Sequence, residues 1–273
     1  MITRILNSRL PLMIYTPVKG FDVSYFHAIY RSGALPVFDT EFLTREDILE
    51  KALVLAQEPF SFGIRLAAHD HDTIAALKQK NMANLDLLIV PLSEQDEAAD
   101  FANFGDTKIV PEIRDIHLLE KMRPMDPHGL ILRGNEAAGK VSRYSSFILM
   151  QWYLKHSDLP IFIHGGVGRY TAAGMLAAGA SGFVMDSQVL LADEAPVSDN
   201  FKKLLASVDE GDSTEIIFQD REIYRVFAKL GTKTAAQKSS SLKLGVNTVN
   251  GELTNVAAAT ALKLTAVDCL KVL

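Results

Sequence analysis

Short apolar runs recur through the first two thirds of the chain, at residues 12–16, 34–38, 61–66, 87–91, 109–113, 129–132, 161–164 and 182–185. Each is short and largely apolar, as a strand buried on both faces tends to be. Between them lie longer segments with helical spacing of apolar residues: 23–31, 45–57, 72–80, 95–104, 116–122, 144–155 and 169–178. In the second of these, Asp47, Ile48, Glu50, Lys51, Leu53 and Val54 present the mixed faces of a surface helix. Thr44, followed by Arg45-Glu46-Asp47, opens it as a capping box. Strands joined by helix-length crossovers are parallel, and eight such units are the number that closes into a (β/α)8 TIM barrel. An open doubly wound sheet satisfies the same pattern, because strand count alone does not dictate closure.

The pattern changes after about Asp193. Residues 201–208 read as a helix, broken by Asp209-Glu210-Gly211-Asp212, and residues 223–230 read as another. Residues 231–255 are rich in Thr, Lys, Ser, Asn and Gly, the composition of a linker or mobile loop. Residues 256–273 are apolar again, with Leu262, Ala266, Cys269, Leu270 and Leu273 on one helical face. The organisation expected is therefore an α/β barrel over residues 1–195 and a C-terminal helical extension over 196–273, with a flexible stretch at about 231–255.

Composition narrows the function classes. A chain of 273 residues, 48% hydrophobic and 22% charged, can bury one large α/β core. Its net charge of −5 offers no field for nucleic acid or acidic membranes. One cysteine, Cys269, excludes an internal disulfide framework and a Cys-based metal cluster, and suits a reducing cytoplasm. Residues 10–18 are interrupted by Pro11 and Pro17 and carry no small-residue cleavage site, so they read as a first strand and not as a signal peptide. No apolar run has the length of a membrane span. A soluble, cytoplasmic protein is expected.

The chemistry concentrates in the third quarter. Gly134-Asn135-Glu136-Ala137-Ala138-Gly139-Lys140 follows the sixth apolar run, and His164-Gly165-Gly166-Val167-Gly168 closes the seventh. The eighth ends in Asp186-Ser187-Gln188. A glycine pair directly after a buried strand lets backbone N–H groups approach a ligand closely, and phosphate sites in β/α barrels are commonly built from the loops after the last two strands.

These residues carry a resemblance. The order Gly134-Asn135-Glu136-Ala137-Ala138-Gly139, then Leu159-Pro160-Ile161 through Gly165-Gly166-Val167, then the Ala-rich segment 171–180 and Gly182-Phe183-Val184-Met185 is similar to the nitronate monooxygenase family. That family includes the flavin-dependent enoyl-acyl-carrier-protein reductases. The likeness covers roughly residues 10–195 and is most specific between 129 and 191. Within the family the chain most resembles the reductase-like domains attached to bacterial polyketide and polyunsaturated fatty acid synthases. The resemblance implies an FMN-binding barrel that takes hydride from NAD(P)H, or that reduces or oxygenates a small activated substrate. An acyl thioester would be the substrate, with an acyl carrier protein or other synthase domains as partners.

Carried over by position, the resemblance sets Thr16 and Pro17 beside the flavin ring, and Arg65 where the family usually shows Asn. It wraps residues 133–139, including Arg133, Asn135, Glu136 and Gly139, around the ribityl chain and ring edge. It gives Gly165, Gly166 and Ser187 to the phosphate. Lys140 takes the place of a catalytic His and Asp186 that of a Gly facing the phosphate.

Several of these residues have a plainer reading. Lys140 is either a proton donor beside the flavin or a solvated loop lysine. Asp186 would repel a phosphate dianion, by about 4 kcal/mol for unit charges at ~4 Å and an effective dielectric of ~20. It must be offset by a cation such as Arg133, Arg169 or Lys140, or turn inward and cap backbone N–H groups in a site without flavin. Glu136 is a ribityl acceptor or an ordinary loop acid. Arg65 either faces the flavin pyrimidine or forms a surface ion pair with Asp39, Asp70 or Asp72. His164 is a substrate contact or simply a hydrogen-bonded strand end. In His69-Asp70-His71-Asp72 the acids read as helix caps, with no third metal ligand in reach, and no metal is expected. Phe147 and Trp152 read as core contacts on the barrel exterior.

Two functions follow from the resemblance. One is an FMN-dependent oxidoreductase, an enoyl-thioester reductase or nitronate monooxygenase-like enzyme of polyketide or fatty acid biosynthesis. The other is a degenerate flavin barrel that serves as a non-catalytic docking or structural domain of a synthase. A barrel recognising a sugar phosphate without a redox cofactor is more distant.

Overall fold

The computed structural model describes residues 5–16, 20–41, 43–67, 70–93, 104–207, 213–217, 222–227, 247–249 and 252–254. Strands β1 (Leu12–Tyr15), β2 (Leu35–Asp39), β3 (Phe62–Arg65), β4 (Leu85–Pro91), β5 (Lys108–Ile113), β6 (Leu130–Arg133), β8 (Ile161–His164) and β9 (Gly182–Met185) form a closed barrel. Every neighbouring pair is parallel, and β9 returns to β1 through Leu12↔Phe183 and Met13↔Val184. All eight apolar runs are thus barrel strands, and the open-sheet alternative falls.

Helices α1 (Val23–Ser32), α2 (Arg45–Leu55), α3 (His71–Lys78), α4 (Leu119–Met122), α5 (Ser146–His156) and α6 (Arg169–Ala177) make the crossovers. Their starts follow capping chemistry: Thr44 Oγ1 accepts from Asp47 N at 3.2 Å, and Asp70 accepts from the N–H groups of Asp72 and Thr73. Residues 116–122 enter as a 3-10 turn, Ile116–Leu118, before α4. The helix expected over 95–104 lies outside the described residues, except for its last position.

The strands divide their side chains by alternation. Leu12, Ile14, Phe38, Ile64, Leu88, Val90, Leu132, Ile163 and Phe183 join the layer between barrel and helices. Met13, Tyr15, Leu35, Val37, Leu87, Ile89, Val110, Ile131, Phe162 and Val184 form a separate inner core, joined by Ile5 and Leu6. A glycine makes room there: a Cβ on Gly63 would stand 2.9 Å from Leu87 Cδ1 and 3.2 Å from Val37 Cγ2. The barrel interior is therefore packed, not hollow.

The extension departs from expectation. Helix α7 (Asp199–Ala206) forms as anticipated. Residues 223–227 are not helical: β11 (Ile223–Phe227) pairs antiparallel with β10 (Ser213–Ile217) and with β7 (Gly139–Val141). The sequence Ile-Tyr-Arg-Val-Phe is rich in β-branched and aromatic residues, and open strand partners on both sides override its helical spacing. Within the expected linker, β12 (Asn247–Val249) and β13 (Glu252–Thr254) also pair antiparallel. The remainder of 231–255, and the helix expected over 256–273, lie outside the described residues. No described helix is long and apolar enough to cross a membrane. Phe147 is not a core contact, being 42% exposed, whereas Trp152 packs against the core as expected and also stacks on His156.

Candidate functional site

The strand ends carry an unusual layer. Two residues beyond an inward position comes another inward position, and here those positions are Asp39 after Val37, Arg65 after Gly63, Glu112 after Val110, Arg133 after Ile131, His164 after Phe162 and Asp186 after Val184. Ion pairs join them from strand to strand around the barrel mouth. Arg65 places Nε 3.0 Å from Glu112 Oε2 and Nη2 3.0 Å from Glu112 Oε1, and its Nη1 reaches Asp39 Oδ1 and Glu41 Oε2, each at 2.9 Å. Arg133 Nη1 donates to Glu112 Oε1 at 3.0 Å, and its Nη2 donates to the carbonyl of Ala138. The Tyr15 hydroxyl donates to Glu112 Oε2 at 3.2 Å. His164 lies between two carboxylates, with Nε2 3.0 Å from Asp186 Oδ2 and Nδ1 3.9 Å from Glu112 Oε2.

This layer is dry at its centre: Glu112 is 1% and Arg133 2% exposed. Burial alone would raise the Glu112 carboxyl, but the Arg133 and Arg65 guanidiniums overcome that and hold it well below the usual carboxylate range. Burial likewise works against ionised Asp186, yet the His164 hydrogen bond and charge, with Arg133, bring it down to about 2. Asp39 goes the other way, raised by burial despite Arg65. Burial, and then the Glu112 charge, push the Tyr15 hydroxyl well above its ordinary value.

Beside this layer the loops expected to take a phosphate do meet. Glu136, His164, Gly165, Gly166, Asp186, Ser187 and Gln188 surround one cavity. Gly165 (φ +106°) and Gly166 (φ +66°) turn through the left-handed region, and a Cβ on Gly165 would stand 2.7 Å from Ala137 N. Glu136 packs against Gly166 and accepts from Ser146 N at 2.9 Å. Asp186 accepts from Ser187 N at 2.5 Å and from Ser187 Oγ at 3.0 Å. Its carboxylate thus caps the N–H group of the next residue.

Other expected residues stand apart. Lys140 lies on β7, and its Nζ is 2.5 Å from Glu222 Oε1, while Glu222 Oε2 also accepts from Arg114 Nη1 at 2.9 Å. Gly139 begins the same strand (φ +65°), paired to Arg225. The Asn135 carbonyl accepts from Arg225 Nε at 2.5 Å. These contacts fasten β10 and β11 as a strap over the loop after β6. Thr16 is buried at the end of β1, with its N–H on the Val37 carbonyl. Pro17 lies outside the described residues, as does His69. Arg65 does pair with Asp39, but in the interior and not at the surface; Asp70 and Asp72 are elsewhere. Among the described residues no group of three or more His, Cys, Asp or Glu is placed to hold a metal.

In this arrangement the corner expected to take the FMN phosphate is occupied by the chain's own carboxylates. The cavity there is about 20 Å³, space for one water and not for a phosphate group. Glu136 and Asp186 face the cavity and engage the nearby N–H donors of Ser146 and Ser187, and Arg65, Glu112 and Arg133 interlock beside it.

No family model matches the chain. It is 28% identical over 173 residues to (3aS,4S,5R,7aS)-5-hydroxy-7a-methyl-1-oxo-octahydro-1H-indene-4-carboxyl-CoA dehydrogenase of Rhodococcus jostii, a match covering 62% of this chain and 48% of that protein. The chain thus spans about half the length of that relative. Among solved structures, FabK from Thermotoga maritima superposes with a TM-score of 0.73 at 16% identity, over 86% of this chain and 79% of that one. Nitroalkane oxidase from Streptomyces ansochromogenes gives 0.64 at 15% identity, over 83% and 79%. The enoyl reductase domain of MlnA, from the macrolactin biosynthesis cluster of Bacillus amyloliquefaciens, gives 0.59 at 13% identity, over 81% and 64%. These are barrels of the group that the motifs resemble, and the fold is shared with them.

Proposed function

We propose that this chain is a reductase-type barrel of an acyl-thioester-processing assembly in polyketide or fatty acid biosynthesis, with its flavin mouth closed by its own side chains. In that role it works as a structural or docking domain. The observation that carries this reading is the charged layer itself: Arg65, Glu112 and Arg133 interlock across the strand ends where barrel enzymes keep their chemistry. The enoyl reductase and carboxyl-CoA dehydrogenase among its relatives support the acyl-thioester setting. The test is to purify the chain and assay flavin released on acid denaturation, expecting none.

A second reading, an FMN-dependent oxidoreductase drawing on NAD(P)H, is favoured by the paired left-handed glycines Gly165 and Gly166 after β8 and by the same relatives. It requires the carboxylates of Asp186 and Glu136 to withdraw from the cavity. A yellow protein that oxidises NAD(P)H would establish it and displace the first reading.

A further inference from the structure

We infer that Asp186 is a built-in anion: its carboxylate fills an oxyanion site made by the His164 Nε2–H, the Ser187 N–H and the Ser187 hydroxyl. Removing it exposes that site to a small oxyanion from solution. The inference rests on the closed-mouth reading above and assigns the corner of the mouth where the closure replaces a ligand.

Three donors converge on one carboxylate, at 3.0 Å from His164, 2.5 Å from Ser187 N and 3.0 Å from Ser187 Oγ. The imidazole is almost completely buried, so without a partner its N–H would lose a hydrogen bond that water could not readily replace. Nε2 faces a carboxylate and therefore carries a proton. The corner adjoins the left-handed Gly165–Gly166 turn and lies in the loop after the last barrel strand, where barrels commonly receive a phosphate from a ligand. The depressed Asp186 carboxyl agrees with a setting that favours negative charge.

Charge sets the order of preference. Glu136 lines the same cavity, so one carboxylate remains after Asp186 is removed. A dianion meets that charge at short range, whereas a monoanion the size of the lost group restores the original balance. Formate should therefore enter the Asp186→Ala protein, and inorganic phosphate should follow only when Glu136→Gln is added.

The experiment compares thermal unfolding of the wild-type chain and Asp186→Ala in sodium formate and in sodium chloride at equal ionic strength. The expected result is a rise in Tm for the variant that grows with the logarithm of formate concentration, with no rise in the wild type. Should Asp186→Ala fold poorly, its refolding yield in formate against chloride gives the same reading. Asp186→Asn keeps the volume filled and should show no rescue. A variant indifferent to formate, or a wild type and Asn variant stabilised equally, would overturn the inference. Binding of FMN by the wild type would instead overturn the closed-mouth reading, so the two failures are distinguishable.

Discussion

Arg65 and Glu112 meet face to face inside the barrel mouth, guanidinium to carboxylate, through two hydrogen bonds of 3.0 Å each. Such a bidentate pair is directional as well as strong. Because Arg133, Tyr15 and His164 also approach Glu112, one carboxylate organises the mouth.

Replacing Glu112 by Ala leaves two buried guanidiniums facing each other with fewer counter-charges. Removing one partner of a buried pair costs about 3–5 kcal/mol, and urea unfolding should report a loss of that size. Tyr15→Phe, which deletes one hydrogen bond from the same carboxylate, should cost about 1 kcal/mol.

Asp186 gives the chain a specific acid sensitivity. Its folded pKa, about 2, lies below the unconstrained 3.8, so its contribution is complete above the higher value and is lost as pH falls through the lower. The gap corresponds to about 2 kcal/mol. Chemical denaturation of wild type and Asp186→Asn at a series of acid pH values should show a stability difference that is constant near neutrality and narrows as pH drops below about 4. A difference that widens on acidification would contradict the assignment.

Gly63 is the residue that lets the inner core close. A Cβ there meets Leu87 Cδ1 at 2.9 Å, so Gly63→Val should overpack the barrel. The cost should be about 1–3 kcal/mol or more, read as a lowered denaturation midpoint.

The eight strands were legible because each is a short, largely apolar run, as a parallel strand covered on both sides tends to be. The mouth was not. Glu112 sits inside Ile109-Val110-Pro111-Glu112-Ile113, and a lone acid in such a run is the available signal. Turning it into a site requires knowing that residues 39, 65, 112, 133, 164 and 186 share an inward parity, which depends on register between strands far apart in sequence. The glycine-rich loop around Gly165 and the turn at Asp186 do come together on one cavity. Lys140 was read from its place after Gly139, but β11 arrives from more than eighty residues away to take it into a strap.

That strap yields a further expectation. Lys140 and Glu222 are each partly exposed, so Lys140→Met should cost no more than about 1 kcal/mol overall. Amide exchange in β11 should nevertheless quicken while the barrel strands remain protected. Exchange unchanged in β11 would show that the ion pair does not hold the strap.

The closed mouth is tested most directly by titrating FMN into the purified wild-type chain and following flavin fluorescence. The arrangement of Arg65, Glu112, Arg133 and Asp186 predicts no saturable quenching up to high micromolar protein. Stoichiometric, saturable quenching would contradict it and return the barrel to flavin chemistry.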